Sequence, residues 1–103
     1  MINLDVPQFA EKIAESDVIL LDVRTPAEFA QGRIANSINI DVLSEYFMAD
    51  VSTLDKDAQY AIYCRSGKRS VDAATAMEEL GFSTINLTGG IIAWQESNRE
   101  IIV

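Results

Sequence analysis

Histidine is absent from this chain of 103 residues, and cysteine occurs once, at Cys64. Without histidine, the chain cannot form a Ser-His-Asp triad, a Cys-His nucleophile pair or a histidine-ligated metal site. A single cysteine excludes an internal disulfide, a Cys-x-x-Cys redox pair and a zinc site made of several thiolates. We therefore expect no metal and no cofactor. Any chemistry at Cys64 must proceed without a resolving cysteine in the same chain.

Long apolar segments are also absent, since no run approaches the roughly 18 residues needed to span a bilayer. The first five residues, Met-Ile-Asn-Leu-Asp, lack the basic segment and the apolar run of a secretory signal. We therefore expect a cytoplasmic protein that does not bind membranes. The length predicts one domain over residues 1–103, and apolar and charged fractions of 49% and 23% are typical of a globular protein. We expect it to be a monomer.

Positive charge is scarce, because eight lysines and arginines face sixteen aspartates and glutamates, for a net charge of -8. Such a surface repels nucleic acid and anionic membranes, so we expect neither as a partner. Three of the cations, Arg65, Lys68 and Arg69, nevertheless lie within five residues of one another. In an acidic protein, this cluster predicts a local site for an anion.

Short apolar runs alternate with helical patterns along the chain. Strands are predicted at residues 2–4, 18–23, 37–40, 60–63 and 84–87. Helices are predicted from Pro7, from Pro26 to just before Gly32, and over residues 41–48, 70–80 and 91–96, with a loop over 50–57. Thr25 and Glu28 predict a capping box at the start of the second helix. The alternation predicts an α/β fold, with a parallel sheet and helices on both faces.

The segment from Cys64 to Ser70 lies between a predicted buried strand and a predicted helix. Ligands of open α/β sheets bind beyond the carboxyl ends of the strands, where a helix N-terminus can aim several N–H groups at one point. Gly67 permits the backbone angles of such a turn. The helix stabilises a thiolate by about 0.3–1 kcal/mol, or about 2 in a sheltered geometry, and the cation cluster acts in the same direction. We therefore predict a Cys64 pKa below neutrality.

A structural interpretation competes with this one. A lone cysteine at a strand end is usually a small buried apolar residue, and a basic cluster is usually solvated surface. Here both features follow the same predicted strand, and a glycine lies between them. Their coincidence favours a functional site.

Three groups of motifs, in order and over nearly the whole chain, resemble the rhodanese homology domain. The first comprises Leu-Leu-Asp-Val-Arg at 20–24, Glu-Phe at 28–29, Gly-Arg-Ile at 32–34 and Ser-Ile-Asn-Ile at 37–40. The second is the cysteine loop at 64–69, and the third is Gly-Gly-Ile-Ile-Ala-Trp at 89–94. The chain departs from the family pattern at Arg33, where a histidine is usual, and after Trp94, where glycine and proline are usual.

The resemblance implies a rhodanese-like fold, with a five-stranded parallel sheet flanked by helices. It also implies a sulfurtransferase in which Cys64 is the catalytic nucleophile. Cys64 would take a sulfane sulfur from thiosulfate or a persulfide and pass it to a thiol, cyanide or protein acceptor. The residues expected to bind the substrate are Arg65, Ser66, Gly67, Lys68, Arg69 and Ser70.

Two other functions remain open. In the first, the chain is a non-catalytic carrier or adaptor that receives a persulfide from one partner and delivers it to another. In the second, it is a phosphatase or arsenate reductase, since those enzymes also use a cysteine surrounded by backbone amides. Tyrosine phosphatases characteristically place five residues between cysteine and arginine, whereas four separate Cys64 from Arg69. The shorter loop argues against phosphate chemistry.

Three further features have structural interpretations. Asp22 and Arg24 follow a predicted buried strand, which indicates a salt bridge between neighbouring loops. Trp94 is predicted to pack in the core or over a helix end. Tyrosine, phenylalanine and methionine are adjacent at residues 46–48. They cannot all face inward on one helix, so we expect only some of them to pack in the core.

Overall fold

Five strands form the sheet that positions the cysteine loop. A computed structural model describes residues 1–103. The strands are β1 (Ile2–Leu4), β2 (Val18–Asp22), β3 (Ile38–Asn39), β4 (Gln59–Tyr63) and β5 (Ser83–Leu87). The helices are α1 (Val6–Ile13), α2 (Pro26–Gln31), α3 (Phe47–Ser52), α4 (Lys68–Glu79) and α5 (Gly90–Glu96). All strand pairs are parallel, in the order β1-β5-β4-β2-β3, which confirms the predicted α/β fold.

The two faces of the sheet have separate cores, and the last four residues of strand β4 pack into both. Tyr60 and Ile62 pack on one face with α3 and α4, whereas Ala61 and Tyr63 pack on the other with α1 and α5. Side chains of a strand alternate between faces, so a sheet covered on both sides needs apolar residues at every position. The helices therefore cover both faces, as predicted. No helix is both long and apolar enough to cross a membrane.

Capping boxes begin the first two helices. At α2, the Thr25 hydroxyl accepts the Glu28 N–H, and the Glu28 carboxylate accepts the Thr25 N–H, which confirms the predicted box. At α1, Asp5 and Gln8 form the same arrangement, so the helix begins at Val6. The predicted start at Pro7 is one residue late, because the Asp5 cap makes Val6 the first helical residue and Pro7 the second.

The predicted helix over residues 41–48 is wrong at 41–46 and right at 47–48. Residues 42–46 form turns, and α3 runs over Phe47–Ser52, so the predicted loop is also wrong at 50–52. The Asp41 carboxylate accepts the Leu43 N–H at 2.9 Å, and the Ser44 hydroxyl accepts the Tyr46 N–H at 3.1 Å. Such local bonds offer the backbone an alternative to the helix. Phe47 is buried, whereas its neighbours at 46 and 48 are exposed.

Candidate active site at the cysteine loop

Cys64 lies immediately after strand β4, at the carboxyl edge of the sheet. The chain then turns through Gly67, whose φ of +107° belongs to the left-handed region that favours glycine, and helix α4 begins at Lys68. A Cβ on Gly67 would also lie 3.3 Å from the backbone nitrogen of Gly89. Both the backbone angle and the close neighbour therefore require glycine here.

The sulfur of Cys64 has hydrogen-bonding neighbours in the loop. The Gly67 N–H donates to Sγ at 3.0 Å, and the hydroxyl oxygen of Ser70 lies 3.3 Å from Sγ. The Ser70 hydroxyl also lies 3.1 Å from the Gly67 carbonyl oxygen, to which it can donate. A hydroxyl has one proton, so Ser70 can donate it to the carbonyl beside a thiol or to the sulfur of a thiolate. The geometry therefore suits both protonation states of Cys64.

The pKa of the Cys64 thiol reflects two opposing effects. Burial raises it, because the residue is only 1% exposed. Hydrogen bonds from the Ser70 hydroxyl and from the backbone amides of Ser70, Gly67 and Ser66 outweigh that burial, so the thiol pKa lies below its ordinary value. The predicted direction is confirmed. The amide donors are those expected at a helix start, the Ser70 hydroxyl adds a further donor, and the nearby cations are not among the main causes.

Arg69 is engaged by a carboxylate from a distant part of the chain. Its Nη1 and Nη2 donate to Oε1 and Oε2 of Glu28 at 2.8 and 2.9 Å. These bonds with Arg69, joined by the capping bonds from Thr25, lower the pKa of Glu28 to about 2. The interaction joins the first turn of α4 to the first turn of α2. Arg69 thus differs from the free cation that the sequence suggested.

The other two cations of the loop remain at the surface. Arg65 and Lys68 are exposed, and neither forms an ion pair. Arg65 lines a cleft between α2 and α5, while Lys68 is the first residue of α4. Of the six residues predicted to bind substrate, Ser66, Gly67 and Ser70 therefore direct donors at the sulfur, and Arg65 and Lys68 supply unpaired positive charge.

Helix α5 supports the loop, a role that the sequence prediction missed. The N–H groups of Ile91 and Ile92 donate to the carbonyl oxygens of Cys64 and Arg65 at 2.9 and 3.1 Å. A Cβ on Gly90 would lie 2.5 Å from the Arg65 carbonyl oxygen, so only glycine allows this approach. The sequence signal was the Gly-Gly pair before a short apolar helix, which the sequence analysis used only as part of a family motif.

The predicted salt bridge of Asp22 and Arg24 is confirmed beside the loop. Nη2 of Arg24 lies 2.6 Å from Oδ2 of Asp22, and both side chains are buried. The same Nη2 donates to the Gly32 carbonyl at 2.7 Å, so the pair connects the end of β2 to the end of α2. Trp94 packs edge-on against Phe9 in the core, also as predicted.

Comparison with known proteins agrees with this architecture. The family model of the rhodanese-like domain matches residues 5–97 of this chain. The chain belongs to the rhodanese-like domain family. A protein named sulfurtransferase from Allochromatium vinosum is 37% identical over 105 residues, which cover 99% of this chain and 96% of the relative. The thiosulfate sulfurtransferase GlpE of Pseudomonas aeruginosa is 33% identical over 91 residues, covering 86% of this chain and 80% of the relative.

A solved structure gives the same result for the fold. The crystal structure of a rhodanese-related protein from Thermoplasma volcanium superposes with a TM-score of 0.88 at 31% identity, covering 99% of this chain and 98% of the other. Rhodanese-like relatives that are named sulfurtransferases support the general activity of sulfur transfer for this chain. The family match ends at residue 97, so residues 98–103 lie outside it.

Proposed function

We propose that this protein moves a sulfane sulfur from thiosulfate or a persulfide donor to a thiophilic acceptor through a persulfide on Cys64. The observation that carries the proposal is the surroundings of Sγ, where the Gly67 amide and the Ser70 hydroxyl can stabilise a thiolate. The name of the Pseudomonas aeruginosa relative supports thiosulfate as one donor. A thiolate is the nucleophilic form of cysteine, so a lowered pKa favours the reaction near neutral pH.

The reaction has two steps under this proposal. First, the Cys64 thiolate attacks the outer sulfur of thiosulfate, a new S–S bond forms, and sulfite leaves with the electrons of the broken S–S bond. Second, the acceptor attacks the outer sulfur of the persulfide, and the Cys64 thiolate leaves. The same amide and hydroxyl donors can stabilise negative charge on sulfur before and after each transfer. No redox partner is needed, because each step exchanges one bond to sulfur for another.

Mass spectrometry of the intact protein tests the first step. Thiosulfate should add the mass of one sulfur, about 32 Da, and cyanide or a reductant should remove it. The Cys64→Ser variant keeps nearly the same volume and should gain nothing, while Ser97→Ala, an exposed position, should label like the native protein. Labelling of Cys64→Ser, or the failure of the native protein to label, would contradict the assignment.

Turnover separates an enzyme from a persulfide carrier. An enzyme should release many equivalents of thiocyanate from thiosulfate and cyanide, with a rate that depends on Cys64. A carrier should form the persulfide once and discharge it slowly to cyanide. Stoichiometric labelling without turnover would therefore favour the carrier and contradict the enzymatic proposal.

We also propose that the protein does not hydrolyse phosphate esters. Both terminal nitrogens of Arg69 bond to Glu28, so this guanidinium is already occupied by a carboxylate. An aryl phosphate and thiosulfate with cyanide should be assayed on one preparation. Phosphate release that depends on Cys64, at a rate comparable to sulfur transfer, would contradict this proposal.

A further inference from the structure

Exposed apolar side chains are concentrated in one internal part of the chain, the segment 38–50. Away from the two residues at each end of the chain, the large apolar side chains that are exposed are those of Ile38, Leu43, Tyr46 and Met48. Leu43 and Tyr46 are 67% and 64% exposed. Single exposed apolar residues are common on protein surfaces, but a group of them in one short segment indicates a contact surface.

The segment 38–50 packs on the face of the sheet that holds the Cys64 side chain. Phe47 and Cys64 belong to one buried apolar cluster, and Val42 packs against it. The Val42 N–H donates to the Val23 carbonyl oxygen at 3.1 Å, and the Val23 N–H donates to the Tyr63 carbonyl oxygen at 3.0 Å. Because neighbouring strands are about 4.8 Å apart, Val42 lies about 10 Å from the residue that precedes Cys64.

An electrostatic observation agrees with this placement. The pKa of Arg69 is raised, mainly by its hydrogen bonds to Glu28. The charges of Cys64 and Asp41 raise it further, so both lie within range of the same guanidinium. The segment 38–50, which contains Asp41, therefore adjoins the cysteine loop.

The charge of the segment is negative, in contrast to that of the cysteine loop. Its charged residues are Asp41, Glu45 and Asp50, with no lysine or arginine. Glu45 and Asp50 are exposed, and neither forms an ion pair. The loop instead exposes Arg65 and Lys68. Small anions such as thiosulfate are attracted by the loop and repelled by the segment, so the segment suits a partner other than the small donor.

Charge and exposure together define the partner that fits this surface. Exposed apolar side chains beside carboxylates are complementary to a protein surface that carries apolar side chains and lysines or arginines. Tyr46 is the best anchor, because tyrosine is enriched among the residues that contribute most to binding. A second copy of this chain fits poorly, since a symmetric contact would bring Glu45 and Asp50 against the same carboxylates of the copy.

We propose that the segment 38–50 is the docking surface for a protein acceptor of the sulfur, one that presents its cysteine within a basic and apolar surface. The proposal rests on the function proposed above. The partner's apolar side chains contact Leu43, Tyr46 and Met48, and its cysteine thiolate attacks the outer sulfur of the Cys64 persulfide. A new S–S bond forms, the bond from Sγ to the outer sulfur breaks, and its electrons return to the Cys64 thiolate. The acceptor leaves carrying the persulfide.

The test uses synthetic acceptors on protein that already holds the persulfide. After thiosulfate loading and removal of excess donor, loss of the label of about 32 Da is followed with three thiols at equal thiolate concentrations. They are a nine-residue basic peptide with a central cysteine flanked by leucines and lysines, an acidic peptide with glutamates in place of the lysines, and 2-mercaptoethanol. Four extended residues on each side of the cysteine span about 13 Å, enough to reach from the loop to Val42.

The docking ratio is the discharge rate with the basic peptide divided by the rate with 2-mercaptoethanol, so changes in the chemistry at Cys64 cancel. In the native protein it should exceed the corresponding ratio for the acidic peptide. Tyr46→Ser removes the apolar anchor and should lower the docking ratio roughly tenfold. Glu45→Lys reverses one charge and should lower it roughly fivefold.

Two matched controls make the test specific. Val103→Ser removes an exposed apolar side chain at the chain end, and Glu11→Lys reverses an exposed charge on α1, which covers the other face of the sheet. Both should keep the native docking ratio. All four altered positions are exposed, so each variant should take up the full sulfur label.

Three results would overturn the docking surface while sulfur loading still supported the proposed function. The first is a docking ratio that is unchanged in both segment variants or falls equally in their controls. The second is a native preference for the acidic peptide. The third is a native dimer, measured by sedimentation, that dissociates in Tyr46→Ser, since the segment would then bind a second copy. A native protein that takes up no sulfur would overturn the proposed function and this inference with it.

Discussion

Two ion pairs flank the cysteine loop, and they differ most in their exposure to water. The side chains of Asp22 and Arg24 are 0% and 6% exposed, whereas those of Glu28 and Arg69 are 27% and 25% exposed. A buried charge that loses its partner cannot be hydrated, while a partly exposed one can. The comparison indicates that the first pair is needed to hold the fold together and that the second adjusts a local geometry.

The position of each pair supports this division. Arg24 also bonds to the Gly32 carbonyl, so the buried pair connects the backbone at the end of β2 to the end of α2. Arg69 precedes Ser70, whose hydroxyl lies 3.3 Å from the Cys64 sulfur. The partly exposed pair is thus one residue from a side chain that contacts the reacting sulfur. Breaking the two pairs should therefore have different consequences for stability and for activity.

The largest effect is expected from Asp22→Asn, which leaves Arg24 buried without its counterion. The free energy of unfolding should fall by about 3–5 kcal/mol, as when one partner of a buried pair is removed. Urea unfolding followed by circular dichroism measures it. Asp57→Asn, at an exposed position, is the control and should change stability by less than about 0.5 kcal/mol. If the free energy of unfolding of Asp22→Asn falls by less than about 1 kcal/mol, the distinction between the buried and the partly exposed ion pair is contradicted.

Glu28→Gln should cost less stability but affect the sulfur transfer. The free energy of unfolding should fall by about 1 kcal/mol, because water replaces part of the lost interaction. The rate of persulfide formation should also fall, because Arg69 no longer holds the first turn of α4 against α2. Glu11→Gln, exposed on α1, controls for the loss of one negative charge. If Glu28→Gln loads sulfur at the native rate, the pair does not position the loop.

The pH dependence of stability sharpens the comparison further. Because the pKa of Glu28 is lowered from 4.5 to about 2 in the folded protein, its ionised form stabilises the fold. This contribution is fully present above pH 4.5 and is lost as the pH falls toward 2. The difference in unfolding free energy between the native protein and Glu28→Gln should shrink over that interval. The difference is measured by urea unfolding at several pH values. A constant difference would show that the charge of Glu28 is not the cause of the stabilisation.

The smallest effect is expected from Lys68→Gln, because this exposed cation belongs to neither pair. Stability should change by less than about 0.5 kcal/mol. Loading by thiosulfate should become slower and less sensitive to salt, since one cation beside the loop no longer attracts the dianion. Loading rates at low and high ionic strength measure this. A stability loss comparable to that of Glu28→Gln would mean that Lys68 has a structural role.

Local signals accounted for most of the secondary structure. The Thr25 and Glu28 box and the branched apolar run of β2 depend on residues close in sequence, so their patterns could be read directly. The error at residues 41–48 also had a local cause, since the side chains of Asp41 and Ser44 bond to backbone N–H groups and favour turns. There the apolar pattern resembled a helix, and the competing polar bonds were not recognised.

The candidate site could be predicted only in part. The sequence identified Cys64, the glycine turn and the donors expected at a helix start. It did not identify the partner of Arg69, because Glu28 lies 41 positions earlier in the chain. The bonds from Ile91 and Ile92 to the loop carbonyls were equally hidden, because they depend on where α5 begins in space.

The sequence by itself determined that one cysteine, with no histidine in the chain, must be activated by loop donors and nearby charge. It also determined the length of the loop and the alternation of strands and helices, because both are local properties of the chain. The tertiary structure decided which cations stay unpaired. In the sheet, β4 lies between β2 and β5. Helix α2, which follows β2, provides the Glu28 carboxylate that binds Arg69. Helix α5, which follows β5, provides the N–H groups that bind the loop carbonyls. Contacts between segments distant in sequence follow from strand order, which no local periodicity encodes.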